Sequence, residues 1–254
     1  MTAVAEPQGT AGCDADRGAS GTWPTPRRHD ASLGTGPLRP PGPGDPPQLW
    51  LVDADDTREG DLALLDAAER AQAAELRLPA ARRAYLAGHA ALRRLLGRYT
   101  ATPPARVRLG HEACPLCGGP HGRPRPVTGA LHFSLSRADG LTLLAFAAVP
   151  VGVDLEAVPR ASAVPALSRR LHPAEQAELA SLPPSDRPRA LTRAWVRKEA
   201  LLKGLGTGLA RPLDRDYVGT GTGPPPSPLP GWTLHDVPCP RGLLAAVAPA
   251  SREA

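Results

Sequence analysis

The sequence of 254 residues has few aromatic side chains, few cysteines and no long apolar run. Aromatic residues make up 4% of the chain, too few for the stacked-ring surfaces that bind single-stranded nucleic acids. Four scattered cysteines do not form the dense disulfide framework of a small secreted domain. No segment is apolar for long enough to cross a membrane, and residues 1–13 lack the features of a secretory signal. We therefore expect a cytoplasmic protein that binds neither a membrane nor nucleic acid. We also expect a monomer.

Lysine is also scarce. The chain has 30 Lys and Arg residues against 25 Asp and Glu, and only Lys198 and Lys203 are lysines. The net charge of +5 favours acidic or phosphorylated partners. Lysine carries a compact ammonium with three donors, which the planar guanidinium of arginine does not replace. Two lysines five positions apart, in a chain that otherwise uses arginine, therefore indicate a place where a compact ammonium is required.

Proline and glycine are abundant and unevenly distributed. Residues 1–47 contain nine prolines and eight glycines and show no apolar periodicity. Such a stretch cannot bury enough apolar surface to offset the entropy of ordering it. We predict that residues 1–47 form a disordered Pro/Gly-rich tail. Strand and helix patterns recur coarsely in the remainder, which divides into an N-terminal subdomain, 48–130, and a C-terminal subdomain, 131–254.

Periodicity predicts a mixture of strands and helices along these subdomains. Alternating or continuous apolar runs predict strands over 48–53, 131–136, 141–149, 151–156, 232–237 and 243–248. Helical periodicity predicts helices over 62–78, 80–99, 173–182 and 185–203. Residues 106–128 are predicted to form a loop.

The segment 151–156 places two carboxylates on one face of a predicted strand. Asp154 and Glu156 alternate with Val153 and Leu155, so the acids point away from the core, about 7 Å apart. Two carboxylates at this spacing repel each other unless a cation lies between them, and Mg²⁺ prefers such oxygen ligands. For this hexapeptide alone, the polar edge of a sheet is the interpretation that we favour.

The segment 195–204 places Glu199 and Lys203 four residues apart on one helix face. A pair of this kind is often a surface ion pair that contributes only about 0.3–0.5 kcal/mol. The scarcity of lysine favours a functional role instead.

The loop around residue 115 contains a possible metal site. Cys114, Cys117 and His121 offer three zinc ligands, one fewer than a closed structural site requires. His111 could supply the fourth. We favour a loop without metal.

Together, these segments resemble the surfactin-synthetase-activating class of 4′-phosphopantetheinyl transferases. That family has a Gly-x-Asp-x-Glu strand followed some forty residues later by a Trp-x-x-Lys-Glu-(Ala/Ser)-x-x-Lys helix, and residues 152–156 and 195–203 match both. Residues 132–136, 121–124 and the helix that carries Arg82 and Arg83 add three further matches in the same order. One departure is Ser136-Arg137, because many members have Ser-His there.

The resemblance implies an α+β fold of two similar subdomains related by a pseudo-twofold axis. Each subdomain would be a small antiparallel sheet with helices, and coenzyme A would bind in the cleft between them. Asp154, Glu156 and Glu199 would hold Mg²⁺, or Mn²⁺ in its place. The coenzyme would be held by five side chains: Arg83, Arg123, Ser136, Arg137 and Lys203.

The implied reaction transfers the 4′-phosphopantetheine group from coenzyme A to a serine of an apo acyl or peptidyl carrier protein, with release of 3′,5′-ADP. Glu199 and Lys203 would be its catalytic residues. The carrier could belong to polyketide, nonribosomal-peptide or fatty-acid synthesis. Two alternatives remain at this point: a coenzyme A-binding protein without catalysis, and a basic nucleic-acid-binding module that uses the Cys/His loop.

Overall fold

The computed structural model describes residues 23–30, 34–240 and 242–251, which contain nine strands and six helices. The strands are β1 Arg27–His29, β2 Gln48–Asp53, β3 Leu109–His111, β4 Pro124–Pro126, β5 His132–Ala138, β6 Leu141–Ala147, β7 Val151–Ala157, β8 His235–Val237 and β9 Leu243–Pro249. The helices are α1 Asp61–Leu64, α2 Ala67–Glu75, α3 Pro79–Thr100, α4 Val164–Ser168, α5 Pro173–Ser181 and α6 Arg187–Leu205. No helix in the described parts of the chain combines the length and the hydropathy that a bilayer crossing requires.

The first sheet has the strand order β1-β2-β6-β5 and is covered by α3. The apolar face of α3 contributes Leu92, Leu95 and Leu96, which pack with Trp50 and Phe146 of the sheet. Pro79 occupies the first turn of α3, where its missing N–H costs nothing, so it begins this helix rather than ending the previous one.

The second sheet has the order β7-β9-β8 and is covered by α6. Val196 and Leu201 of α6 are buried against Ala246 and Ala248 of β9. The helix ends at Gly206, whose φ of 78° is a left-handed conformation that glycine adopts without strain.

The two sheets share one core. Leu51 and Leu143 of the first sheet pack with Val153 and Val247 of the second. The seam runs between β5 and β7, where the backbone N–H of Val153 donates to the hydroxyl of Ser134 at 3.1 Å. The fold is therefore α+β with small, largely antiparallel sheets, as predicted; the pseudo-twofold relation stays a prediction.

The division at residue 130 does not separate the sheets. β5 and β6 lie beyond that boundary, yet β6 pairs antiparallel with β2 along the whole of Gln48–Asp53. Burial of both faces of β6 explains this placement, because each of its residues is buried and only a central strand can bury them all.

The predicted tail is wrong for the part that the structure describes. β1 lies within residues 1–47 and pairs in parallel with β2, and the N–H of Trp23 donates to the carbonyl of Asp236 at 3.1 Å. Strand pairing supplies backbone hydrogen bonds that the Pro/Gly composition does not reveal. Residues 1–22 and 31–33 of the predicted tail lie outside the described residues.

Two further differences concern local signals. The predicted helix over 62–78 is divided at Asp66, whose side chain caps α2 in a reciprocal pair with Glu69. The predicted loop over 106–128 contains the two short strands β3 and β4, which pair as a hairpin.

Candidate active site

Gly152 allows β7 to lie directly against α6. A Cβ atom at this position would be 1.9 Å from the carbonyl oxygen of Ala200 and 2.3 Å from the backbone nitrogen of Gly204. Only glycine fits a contact this close, and the requirement is for space because the φ of Gly152 is not positive. The contact brings the acidic residues of β7 beside the Glu199 and Lys203 turns of α6.

Asp154 is the centre of the site. It is 2% exposed, and its Oδ1 accepts hydrogen bonds from the Ser136 hydroxyl at 2.7 Å and from the Lys203 ammonium at 2.6 Å. The same ammonium donates to the Ser136 hydroxyl oxygen at 3.0 Å. Three elements, β5, β7 and α6, therefore meet at one carboxylate oxygen.

The negative charge of Asp154 affects the pKa values of the nearby carboxylates of Glu156 and Glu199. Burial raises the pKa of Glu156 to about 7, and the charge of Asp154 acts in the same direction, against Lys203. Burial and the Asp154 charge also raise the pKa of Glu199, again opposed by Lys203. The site therefore contains more negative charge than its one ammonium balances.

Two charged residues near this cluster were missed by the sequence interpretation. The negative charge of Asp139 contributes to the raised pKa of Glu156, after the larger effects of burial and Asp154. The positive charge of Arg170 acts to lower the pKa of Glu199. Asp139 occupies the β5–β6 turn with a φ of 46°, and the pattern Asp139-Gly140 indicated only that turn. No sequence signal pointed to Arg170.

The predicted phosphate-binding residues are partly brought together. Ser136 is in the cluster itself. Arg123 adjoins it, because its guanidinium donates to the Gly204 carbonyl at 2.6 Å, one residue beyond Lys203. Arg137 points to the other face of β5, with its guanidinium 4.9 Å from the ring centre of Tyr85.

Arg83 is separate from the cluster. It is exposed near the start of α3, and among the described residues no hydrogen bond links its side chain to the acidic group. Tyr85 lies two residues further along α3, and its ring contacts the Arg137 guanidinium. Arg83 of α3 and Arg137 of β5 are therefore both near the start of α3.

Lys198 connects α6 to neighbouring elements and does not face the carboxylate cluster. Its ammonium is 2.8 Å from a Glu175 carboxylate oxygen and also donates to the Asp216 carbonyl, with the side chain 2% exposed. It therefore fixes α6 to α5 and to the segment before residue 218. Of the two lysines, only Lys203 belongs to the candidate site.

An apolar cavity of about 220 Å³ opens beside Glu156. Leu167, Leu191 and Trp195 form much of its wall. The carboxylate cluster therefore adjoins an apolar cavity that could receive an uncharged part of a ligand.

The residues of the cluster suit a hard divalent cation. Asp154 Oδ2 is buried and has no hydrogen-bond partner among the described residues, so one carboxylate oxygen is free to coordinate. Burial and then the charge of Asp154 raise the pKa values of Glu156 and Glu199, and a cation there would offset the contribution of that charge. Oxygen ligands of this number suit Mg²⁺ with water or phosphate completing its coordination.

Comparisons with known proteins identify the family. The sequence profile of the 4′-phosphopantetheinyl transferase superfamily matches residues 150–231, the part of the chain that includes Asp154 and Lys203. The chain is 32% identical over 216 residues to the 4′-phosphopantetheinyl transferase HetI of Nostoc sp., which covers 80% of this chain and 87% of HetI. A Synechocystis sp. protein, which carries the same activity as a provisional name, is 27% identical over 175 residues, covering 66% of this chain and 68% of that protein.

The chain belongs to the 4′-phosphopantetheinyl transferase superfamily. It is a transferase, and the acceptors of this family are carrier proteins.

Proposed function

We propose that the protein transfers the 4′-phosphopantetheine group from coenzyme A to a serine of an apo acyl or peptidyl carrier protein, with Mg²⁺ or Mn²⁺ and with release of 3′,5′-ADP. The observation that carries this proposal is the convergence of Asp154, Lys203 and Ser136 beside the carboxylates of Glu156 and Glu199. We expect the reaction in the cytoplasm, by a monomer that does not require nucleic acid.

The reaction is a displacement at phosphorus. The serine oxygen of the carrier bonds to the β-phosphorus of coenzyme A, and the bond from that phosphorus to the 3′,5′-ADP oxygen breaks. Enzymes assist such transfers mainly by positioning and by neutralising the developing charge. When bound, a divalent cation held by Asp154, Glu156 and Glu199 would polarise the phosphate oxygens.

Glu199 is the group that we assign to the serine proton, directly or through one water. Burial is the largest cause of its raised pKa, and this contribution favours proton uptake by Glu199 over an ordinary glutamate. General-base assistance of this type contributes about 10²–10⁴-fold to the rate.

Lys203 stabilises the diphosphate and the leaving oxygen. Its side chain is 31% exposed, so the ammonium can contact a bound phosphate while it stays at Asp154. Arg123, fixed at the end of the same helix by the Gly204 carbonyl, adds positive charge on that side.

Arg137 and Arg83 are proposed to bind the 3′-phosphate. Arginine can bind phosphate through two parallel hydrogen bonds, so the change from the family histidine preserves binding but not a protonation role. Arg137→Ala should weaken the binding of coenzyme A much more than that of dephospho-coenzyme A. Equal weakening of both would assign Arg137 to the diphosphate instead, and no effect on either would remove it from the site.

The release of 3′,5′-ADP tests the reaction itself. The protein is mixed with coenzyme A, MgCl₂ and an apo carrier, and the nucleotide product is separated by chromatography. We expect 3′,5′-ADP in proportion to the carrier added, and none in excess chelator. Product formed without a carrier, or unchanged in chelator, would contradict the acceptor or the metal requirement respectively.

A further inference from the structure

The β3–β4 hairpin contains a cluster that the proposed reaction does not use. One ligand atom each from Cys114, Cys117 and His121 lies within 4.8 Å of the other two. Cys117 Sγ is 3.0 Å from His121 Nε2, while Cys114 is buried at 2% exposure. Within the described parts of the chain, no other three His, Cys, Asp or Glu side chains meet so closely.

The backbone of this loop is folded around the two sulfur atoms. The N–H of Gly119 donates to Cys117 Sγ at 3.4 Å, and the N–H of Cys114 donates to the Gly119 carbonyl at 2.7 Å. Gly118 turns the chain with a φ of 73°. Amide hydrogen bonds of this kind orient sulfur ligands and offset the negative charge of a thiolate.

Gly119 leaves the space between the ligands open. A Cβ atom at this position would be 3.2 Å from His121 Nε2 and 3.3 Å from Cys117 Sγ. Any larger residue would therefore displace one of the two side chains.

We propose that Cys114, Cys117 and His121 bind one Zn²⁺ ion, with a solvent molecule as its fourth ligand. Thiolate and imidazole select zinc over the hard cations that suit the carboxylate site. Tetrahedral zinc, with bonds of about 2.3 Å to sulfur and 2.0 Å to nitrogen, holds its ligand atoms roughly 3.5–3.8 Å apart. Cys117 and His121 would thus separate by about half an ångström to admit the ion.

This assignment replaces the metal-free loop that the sequence favoured. His111, the fourth ligand considered there, does not belong to the cluster. The open coordination position means that the ion should leave on treatment with a chelator more readily than from a site with four protein ligands.

The zinc site would position Arg123, which follows His121 by two residues. The strands on either side of the loop are drawn together: a Cβ at Gly122 would be 2.7 Å from the carbonyl oxygen of Glu112. Glu112 also pairs with the Arg123 guanidinium, which reaches the Gly204 carbonyl. The positioning role of the ion rests on the proposed function, because it assumes that Arg123 binds the coenzyme; the binding of zinc does not.

Metal content tests the site directly. The protein is purified without a metal-chelate column, dialysed and analysed by inductively coupled plasma mass spectrometry. We expect about one zinc ion per chain in the wild type and less than about a tenth of that in Cys117→Ser and His121→Ala. Cys239→Ser is the matched control, because its thiol lies in the β8–β9 connection, donating to the Leu243 carbonyl, and its zinc content should be unchanged.

Cobalt substitution adds a spectroscopic readout. After chelation, addition of Co²⁺ should produce a thiolate-to-cobalt charge-transfer band and the strong visible bands of four-coordinate cobalt. Both should be lost in Cys117→Ser. A wild type without stoichiometric zinc and without these bands, or one with a Cys114–Cys117 disulfide in their place, would overturn the site.

The positioning role has a separate kinetic test. Loss of outer supports of a site typically changes affinity or activity by 10–100-fold. We expect Cys117→Ser to raise the KM for coenzyme A by about tenfold with little change in kcat, while the melting curve stays cooperative. An unchanged KM would overturn the positioning role and leave zinc binding standing. A protein that binds zinc but transfers nothing would instead contradict the proposed function.

Discussion

Lys203 lies on α6 and Asp154 lies on β7, and their contact links these two elements at the candidate site. The ammonium is 2.6 Å from Asp154 Oδ1, and Ser136 completes a triangle of hydrogen bonds with both. A surface ion pair contributes little, but this carboxylate is buried, so losing its partner leaves a charge in a poorly solvated place. Lys203 therefore holds Asp154 in the position from which we propose that it binds a cation.

Replacing Lys203 by arginine separates charge from shape. Arginine keeps the positive charge, but its wide planar head cannot place one donor against both Asp154 and Ser136. We expect turnover of Lys203→Arg to fall at least about tenfold with little change in melting temperature. Arg189→Lys, an exposed change on the same helix, is the control and should retain the wild-type rate. Wild-type turnover in Lys203→Arg would show that the reaction does not require the lysine ammonium.

The raised pKa of Glu156 predicts a pH-dependent stability. Folding raises this pKa from 4.5 to about 7, so between these values the folded protein binds more protons than the unfolded chain. The free energy of unfolding should therefore decrease as the pH rises through this range. Glu156→Gln cannot titrate, and in chelator it should lose less stability between pH 5 and pH 8 than the wild type. An equal loss of stability in the two proteins between pH 5 and pH 8 would show that folding does not raise the pKa of Glu156.

The residue types of the site were readable from the sequence, but their partners were not. Asp154 and Glu156 alternate on a strand, and Glu199 and Lys203 share a helix face, as periodicity indicates. The close partner of Lys203 is Asp154, 49 residues away, rather than the helical neighbour Glu199. Sequence spacing reports neighbours within one element, whereas this contact depends on how β7 and α6 pack.

The packing of β7 against α6 depends on a single absent side chain. Because a Cβ at Gly152 would overlap the backbone of Ala200 and Gly204, the strand or the helix must move to admit one. Movement of a fraction of an ångström would separate the carboxylates of β7 from Lys203. The glycine of the Gly-x-Asp-x-Glu pattern thus has a steric explanation, which the strand pattern alone did not provide.

Gly152→Ala tests this explanation. Overpacking of this kind costs typically about 1–3 kcal/mol of stability, so the melting temperature should fall by several degrees and turnover should fall with it. Gly221→Ala is the control, because nothing lies within 4 Å of its Cβ position and its φ is not positive. Normal stability and activity in Gly152→Ala would mean that the strand and helix are less tightly packed than described.

The strand β1 changes what is expected of the N-terminal segment. Composition predicted a disordered tail over residues 1–47, yet β1 extends the first sheet and the ring centroids of Trp23 and His235 are 4.4 Å apart. Deletion of 1–47 removes both contacts, whereas deletion of 1–22 preserves them. We expect the longer deletion to lower the melting temperature by at least about 4 °C and the shorter one to leave these contacts intact. Equal melting temperatures for wild type and the longer deletion would restore the prediction of a tail.

Long periodic elements were predicted well because their own side chains specify them. α3 and α6 carry continuous apolar faces, and β5 to β7 are alternating or wholly apolar runs. The short strands β1, β3 and β4 were not, since each has three residues and is defined by its partner. A pairing partner distant in sequence leaves no periodic trace in three residues.

Across the whole molecule, the site lies where the two sheets share a core. β5 belongs to the first sheet and supplies Ser136, while β7 belongs to the second and supplies Asp154. A rigid seam of this kind holds the cluster in place better than a loop would. The reaction that we propose would therefore take place at the seam.

The most direct test of the central proposal is the intact mass of an apo carrier protein after incubation with this protein, coenzyme A and MgCl₂. We expect a gain of about 340 Da, the mass of the transferred phosphopantetheine group. We expect no gain with Asp154→Asn, which keeps the side-chain shape but removes the charge that faces Lys203. Apo carriers from polyketide, nonribosomal-peptide and fatty-acid synthesis would each be tried, beside a known transferase as a positive control. The proposed function would be contradicted if the wild type produced no mass gain on carriers that the positive control modifies. The proposed role of Asp154 would be contradicted if Asp154→Asn produced the same mass gain as the wild type.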